Sequence, residues 1–136
     1  MSLVLDSSVT LAWVYSEETT DGVMRVFEML SQGGAWVPGL WRLEVANVLE
    51  MGVRRKHHDA AFRDATLSDL GQLPIQVDLE TDRQAWGASR EIAEKHQLTL
   101  YDAAYLELAL RRNLPLASLD EELRRAAERD KVRVIG

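Results

Sequence analysis

The sequence predicts an α/β fold built on a mainly parallel central sheet. Two observations carry this reading. Five short apolar runs recur along the chain with almost no polar alternation, as expected of strands covered on both faces. Between them lie longer segments whose apolar residues return near the helical period. Strands alternating with helices mark a parallel sheet.

In order, the first strand is Leu3-Val4-Leu5, ended by Asp6 and Ser7. Leu11, Ala12 and Trp13 fall in a first helix. Met24, Phe27 and Leu30 stand at helical spacing and read as a core or partner-facing stripe. Gly33-Gly34 introduce the second strand, Ala35-Trp36-Val37, which Pro38 closes. Leu40, Leu43, Val45, Val48, Leu49 and Val53 then give a helical stripe. Asp59 to Leu70 reads as a surface helix, and Gly71 to Pro74 as a loop into the third strand, Ile75-Gln76-Val77. A second surface helix is expected over Asp82 to His96, and a densely apolar one over Leu98 to Leu110. Pro115-Leu116-Ala117 is the fourth strand, Glu121 to Arg129 a short charged helix, and Val132 to Ile135 the fifth strand.

At 136 residues the chain is one ordinary domain, residues 1–136, and its 46% hydrophobic content is enough for a core. The formal net charge of −6 argues against a protein that coats nucleic acid, because phosphate neutralisation supplies most non-specific affinity. It leaves room for an RNA enzyme with a local basic rim. The absence of cysteine excludes disulfides, thiolate metal sites and cysteine nucleophiles. Leu3-Val4-Leu5 stops at Asp6, too short for a signal-peptide core, and no apolar run approaches a membrane span. A soluble cytoplasmic protein is expected.

Four acids stand where chemistry is expected in an open α/β sheet, near the carboxyl ends of strands. Asp6 follows the first strand and Asp120 closely follows the fourth. Glu44 and Asp102 lie early in the helices after Pro38 and Thr99. Gathered together, they would repel one another and call for a cation. Oxygen-only ligands favour Mg²⁺ or Mn²⁺, and such ions with phosphate esters suggest phosphodiester hydrolysis. Each acid also has an ordinary explanation. Thr99 to Asp102 and Ser118 to Glu121 match capping boxes, Asp6 can end a strand, and Glu44 can be a solvated helix residue.

The surroundings of the four acids resemble those of one family. Val4-Leu5-Asp6-Ser7-Ser8-Val9 is similar to the opening of PIN domains. Trp41 to Leu49 around Glu44, Leu100 to Ala109 around Asp102, and Pro115 to Asp120 with Leu123 follow in matching order and spacing. The resemblance covers essentially the whole chain and is nearest the VapC-like toxin branch. It implies a three-layer α/β/α sandwich and Mg²⁺- or Mn²⁺-dependent cleavage of single-stranded RNA. It further implies a homodimer and inhibition by a cognate antitoxin. By this resemblance Asp6 and Asp102 match the principal metal-binding aspartates, Glu44 the acid of the Glu-x-x-Asn pattern, and Asp120 the last and less direct acid. Ser7 and Ser118 are expected to bond to carboxylates or ligand oxygens, and Asn47, three residues after Glu44, to steady that side chain.

Glu107 lies five residues after Asp102 and is expected at the surface, away from the site. Arg54-Arg55-Lys56-His57-His58 suits a helix C-terminus or a phosphate clamp. Arg111-Arg112 and Arg124-Arg125 divide between solvated faces and phosphate contacts. Trp36 and Trp86 are expected to pack. Trp13 is expected at an oligomer or antitoxin contact.

Rival functions fit less well. A haloacid-dehalogenase-type phosphatase needs an aspartate where Ser8 stands. A receiver domain needs paired acids at the first strand and a late lysine better placed than Lys131. No Walker loop or dinucleotide motif occurs. A non-catalytic RNA-binding or protein-interaction module is the remaining alternative.

Overall fold

The computed structural model describes residues 1–136. Five strands form one sheet: β1 (Leu3–Leu5), β2 (Ala35–Val37), β3 (Ile75–Val77), β4 (Leu116–Ala117) and β5 (Val134–Ile135). Their order is β3-β2-β1-β4-β5 and every pairing is parallel. All three residues of β1 are fully buried, which is why Leu3-Val4-Leu5 shows no polar alternation.

The connections place four helices before β3 and four after it. The first set is α1 (Ser7–Val14), α2 (Asp21–Gly33), α3 (Leu40–Arg54) and α4 (Ala60–Gly71). The second is α5 (Thr81–Gln84), α6 (Ala88–His96), α7 (Leu100–Arg112) and α8 (Glu121–Arg129). The chain steps outward one way from β1 to β3, then returns past β1 to β4 and β5. Right-handed crossovers in opposite directions put the two helix sets on opposite faces. Helix–helix packing agrees, with α1 against α2 and α3, and α7 against α5, α6 and α8. The result is the expected α/β/α sandwich.

Local chemistry sets the helix starts. Thr20 Oγ1 accepts from the Val23 N–H, Asp59 Oδ1 from Phe62, Thr99 Oγ1 from Asp102 and Asp120 Oδ1 from Leu123. The cap of α8 is therefore Asp120, not Ser118. Gly34, at φ +74°, makes the turn from α2 into β2, a backbone conformation that favours glycine.

Three expectations are corrected. The helix over Asp82 to His96 is broken: α5 ends at Gln84, and Gly87 has non-helical dihedrals before α6 starts. Trp86 sits in that break and is 92% exposed, so it does not pack. Glu107 is buried, not at the surface, because its carboxylate receives Arg111 Nε at 2.7 Å. Arg111 and Arg112 are neither solvated nor free for phosphate. Arg111 also bonds to the buried Asp78 at 2.6 Å. Arg112 bonds to Asp78 at 3.3 Å and lies 3.5 Å above the Trp36 ring. Burial would raise the Asp78 pKa, but its bonds to Arg111, Thr81 and Arg112 outweigh burial and hold it at about 2.

Several other aromatic residues pack, whereas Tyr101 is exposed. Trp13 stacks on Phe27 with ring centres 4.5 Å apart, and the buried Trp41 donates Nε1–H to Thr10 Oγ1. His58 leaves the basic run to join Tyr15 and Phe62. No helix is long and apolar enough to cross a membrane.

Candidate functional site

The strand order reverses between β1 and β4, and in open α/β sheets that switch point opens a crevice at the carboxyl ends. The backbone carries the ladder one residue past each strand there. Asp6 N–H donates to Ala117 O at 2.9 Å, and Ser118 N–H to Ile135 O at 3.1 Å. Asp6 and Ser118 are thus placed side by side, 112 residues apart in sequence.

Asp6 is 4% exposed, a carboxylate held almost entirely inside the protein. Two hydroxyls donate to its Oδ2, Ser8 at 2.6 Å and Ser118 at 2.8 Å. Each serine oxygen also accepts a backbone N–H from the turn after β4: Leu119 to Ser8 at 3.0 Å and Asp120 to Ser118 at 3.1 Å. The two serines therefore lace Asp6 to the turn that carries Asp120. Arg124 Nη1 braces the same turn through Ser118 O at 2.6 Å.

Glu44 comes from α3 and Asp102 from the first turn of α7. Glu44 Oε1 accepts from the Tyr105 hydroxyl at 2.5 Å. Ser7 stands beside this pair, near enough to lower the pKa of both groups. Asp120 uses Oδ1 for the α8 cap. In Asp6 and Asp120, one carboxylate oxygen has a protein partner in these contacts and the other has no side-chain partner, while Glu44 has Tyr105 on Oε1 and the Ser7 hydroxyl within reach.

The electrostatics show that the four acids share one locality. Asp102 is raised to about 6, first by burial and then by the charges of Asp120, Asp6, Glu44 and Glu122. Burial raises Asp6, and Asp120 adds to the effect while Ser8 and Ser118 oppose it. Burial also raises Glu44, with Asp6 adding to it and Tyr105 opposing it. Like charges in one crevice disfavour ionisation in just this way. As the side chains stand, no three of them close on a common point to hold an ion.

Of the residues read as supporting the acids, Ser118 contacts Asp6 directly. Asn47 lines a groove with Tyr15, Glu17 and Arg55, and the hydrogen bond to Glu44 comes from Tyr105. Sequence reasoning missed Ser8 and Tyr105. Tyr105 had a legible signal, since it follows Asp102 by three residues and so shares its helical face. Ser8 had none, because its second partner lies at the far end of the chain.

A family model described as "PIN domain" matches residues 3–129. No curated protein matches the sequence. Among solved structures, the fold is similar to PAE2754 from Pyrobaculum aerophilum, with a TM-score of 0.71 and 20% identity over 98% of this chain and 83% of that one. It is also similar to a chain of VapBC2 from Rickettsia felis, solved bound to a DNA fragment from their promoter. There the TM-score is 0.67 and the identity 11%, over 98% of this chain and 97% of that one. FitAcB from Neisseria gonorrhoeae gives 0.69 and 16%, over 100% and 97%.

Proposed function

The chain belongs to the PIN-domain family, and from that premise we propose that it is a metal-dependent endoribonuclease, the toxin of a type II toxin–antitoxin pair. The observation that carries this reading is the gathering of Asp6, Glu44, Asp102 and Asp120 at the switch point of the sheet, where Asp6 and Asp120 are tied to one turn and the acids are close enough to feel one another's charge. Four oxygen ligands with uncompensated charge fit a hard divalent cation, Mg²⁺ or Mn²⁺. Asp6, Glu44, Asp102 and Asp120 would hold it through the oxygens that have no side-chain partner, the side chains closing inward by rotation. When bound, such an ion neutralises phosphate charge and makes a nearby water more acidic.

The chain's own residues supply orientation and proton transfer. Ser8 and Ser118 keep Asp6 Oδ2 occupied and leave the remaining oxygen without a side-chain partner. Asp102 has no side-chain hydrogen bond to restrain it and a pKa of about 6. Its freedom suits it to turn toward the cation, and a carboxylate such as Asp6 or Asp120 would then orient the attacking water or accept its proton.

RNA is the substrate in this reading, and the partners are a second copy and a cognate antitoxin. Leu43, Leu79, Trp86 and Tyr101 are exposed around a groove beside α3 and α7, where a protein partner can bury apolar area. An antitoxin that aims a basic side chain at the acids would supply the missing positive charge and block the crevice.

The test is cleavage of structured and single-stranded RNAs with Mg²⁺ or Mn²⁺ by the intact protein, Asp6→Asn and Asp102→Asn. Metal-dependent cleavage lost in both variants supports the reading. A cation titration showing no binding to the intact protein would overturn it in favour of a non-catalytic module.

A further inference from the structure

Tyr105 is one of the largest fully buried side chains, yet its hydroxyl reaches the crevice and ends on an acid. The bond joins α7 to α3, helices on opposite faces of the sheet, across 61 residues of sequence. It therefore spans the crevice mouth. Tyr105 also stands one helical turn behind Asp102, so a single face of α7 presents a free carboxylate and, beneath it, a donor to a second carboxylate.

We propose that Tyr105 is the positioning residue of the site: its hydroxyl holds Glu44 Oε1 and thereby presents Oε2 to the cation. This rests on the reading of the four acids as a cation site. Glu44 is half-buried, next to the charge of Asp6, and its chain has three rotatable bonds. Unrestrained, it would swing toward water, away from Asp6. The Tyr105 bond opposes that swing, and it does so from a ring locked in the core with no freedom to follow. A phenol also suits the task chemically. It donates to the carboxylate without adding positive charge that would compete with the cation. Burial, then the charges of Asp6 and Glu44, push its pKa upward and keep it a donor.

Ser8 and Ser118 treat Asp6 in the same way, each placing a neutral hydroxyl on one carboxylate oxygen. On Glu44 the hydroxyl comes from Tyr105, with Ser7 beside the pair, because the reach from α7 to α3 needs a longer side chain.

The experiment is calorimetric titration of Mn²⁺ into the intact protein, Tyr105→Phe, Glu44→Gln and the double variant, with melting in chelator as the control for folding. Phenylalanine fills the same core space, so Tyr105→Phe is expected to fold and to bind Mn²⁺ about 10–100-fold more weakly, the usual cost of losing a group that orients a ligand. In the Glu44→Gln background the same substitution is expected to add nothing, because Tyr105 acts through Glu44. Unchanged affinity in Tyr105→Phe, or an equal loss in both backgrounds, overturns the proposal and leaves the cation site standing. Failure of the intact protein to bind Mn²⁺ overturns the cation site, and the proposal with it.

Discussion

The Ser118 hydroxyl donates to Asp6 Oδ2 at 2.8 Å, so the end of β4 holds the carboxylate at the end of β1. Ser118 is fully buried, and no water can replace the bond freely. Ser118→Ala is expected to cost roughly 2 kcal/mol, as for a buried charged acceptor that loses a donor. It should also push the Asp6 pKa further up. Thermal melting and a Mn²⁺ titration of the variant check both effects, and retention of full stability and affinity would refute the role.

Without a cation, the ionised Asp102 carboxylate opposes folding. Asp102 has a folded pKa of about 6, above its unfolded value, so its ionisation destabilises the protein as pH rises above about 4, an effect complete above pH 6. Asp102→Asn should therefore melt higher than the intact protein at pH 7 in chelator. Solvent screening at this half-exposed group reduces the gain to about 1 kcal/mol, a few degrees. Excess Mn²⁺ should reverse the order by stabilising only the intact protein.

Cation affinity should depend on pH in the same range. Binding requires the ionised acids, so affinity is expected to fall as pH drops from 7 through about 6. Titrations at pH 5, 6 and 7 measure this directly. A flat profile would mean that Asp102 does not face the ion.

The paired charges behind α7 should behave in the opposite sense. Asp78 is held at about 2, below its unfolded value, so its contribution of about 2 kcal/mol is complete above pH 4 and lost as pH falls through 2. Arg111→Ala removes the main partner of Asp78 and Glu107 and leaves two buried carboxylates. A loss of about 3 kcal/mol is expected, with a flatter acid-unfolding curve. Urea unfolding at pH 7 and pH 3 separates the two effects.

Gly52 on α3 faces the His58 ring, and a Cβ there would lie 2.2 Å from Nε2. Gly52→Ala should displace the ring and break its 3.0 Å bond to the Tyr15 hydroxyl. The expected cost is about 1–3 kcal/mol, as for overpacking, read as a lower melting temperature.

The strands were legible because their burial on both faces leaves a local mark, an unbroken apolar run. β1, β2 and β3 fall on the residues that the pattern predicts. The broken helix at Gly87 was not legible, because Asp82 to His96 keeps a usable periodicity through the turn. Trp86 was misread for the same reason: a tryptophan reads as core unless the backbone turns it outward. Glu107 was misread as a surface acid, although Arg111 four residues later is a local partner, because only the tertiary fold brings Asp78 to the same guanidinium.

The sequence by itself determined the fold class and singled out the four acids that are proposed as the site. Both rest on short-range signals, the periodicity of apolar residues and the motif around each carboxylate. The tertiary structure decided how the acids are held. Ser8, Ser118 and Tyr105 act on partners as much as 112 residues away, at positions set by strand order and helix crossing. Hydrogen bonds of that kind depend on distances of a few tenths of an ångström between elements, and no local pattern of residues encodes them.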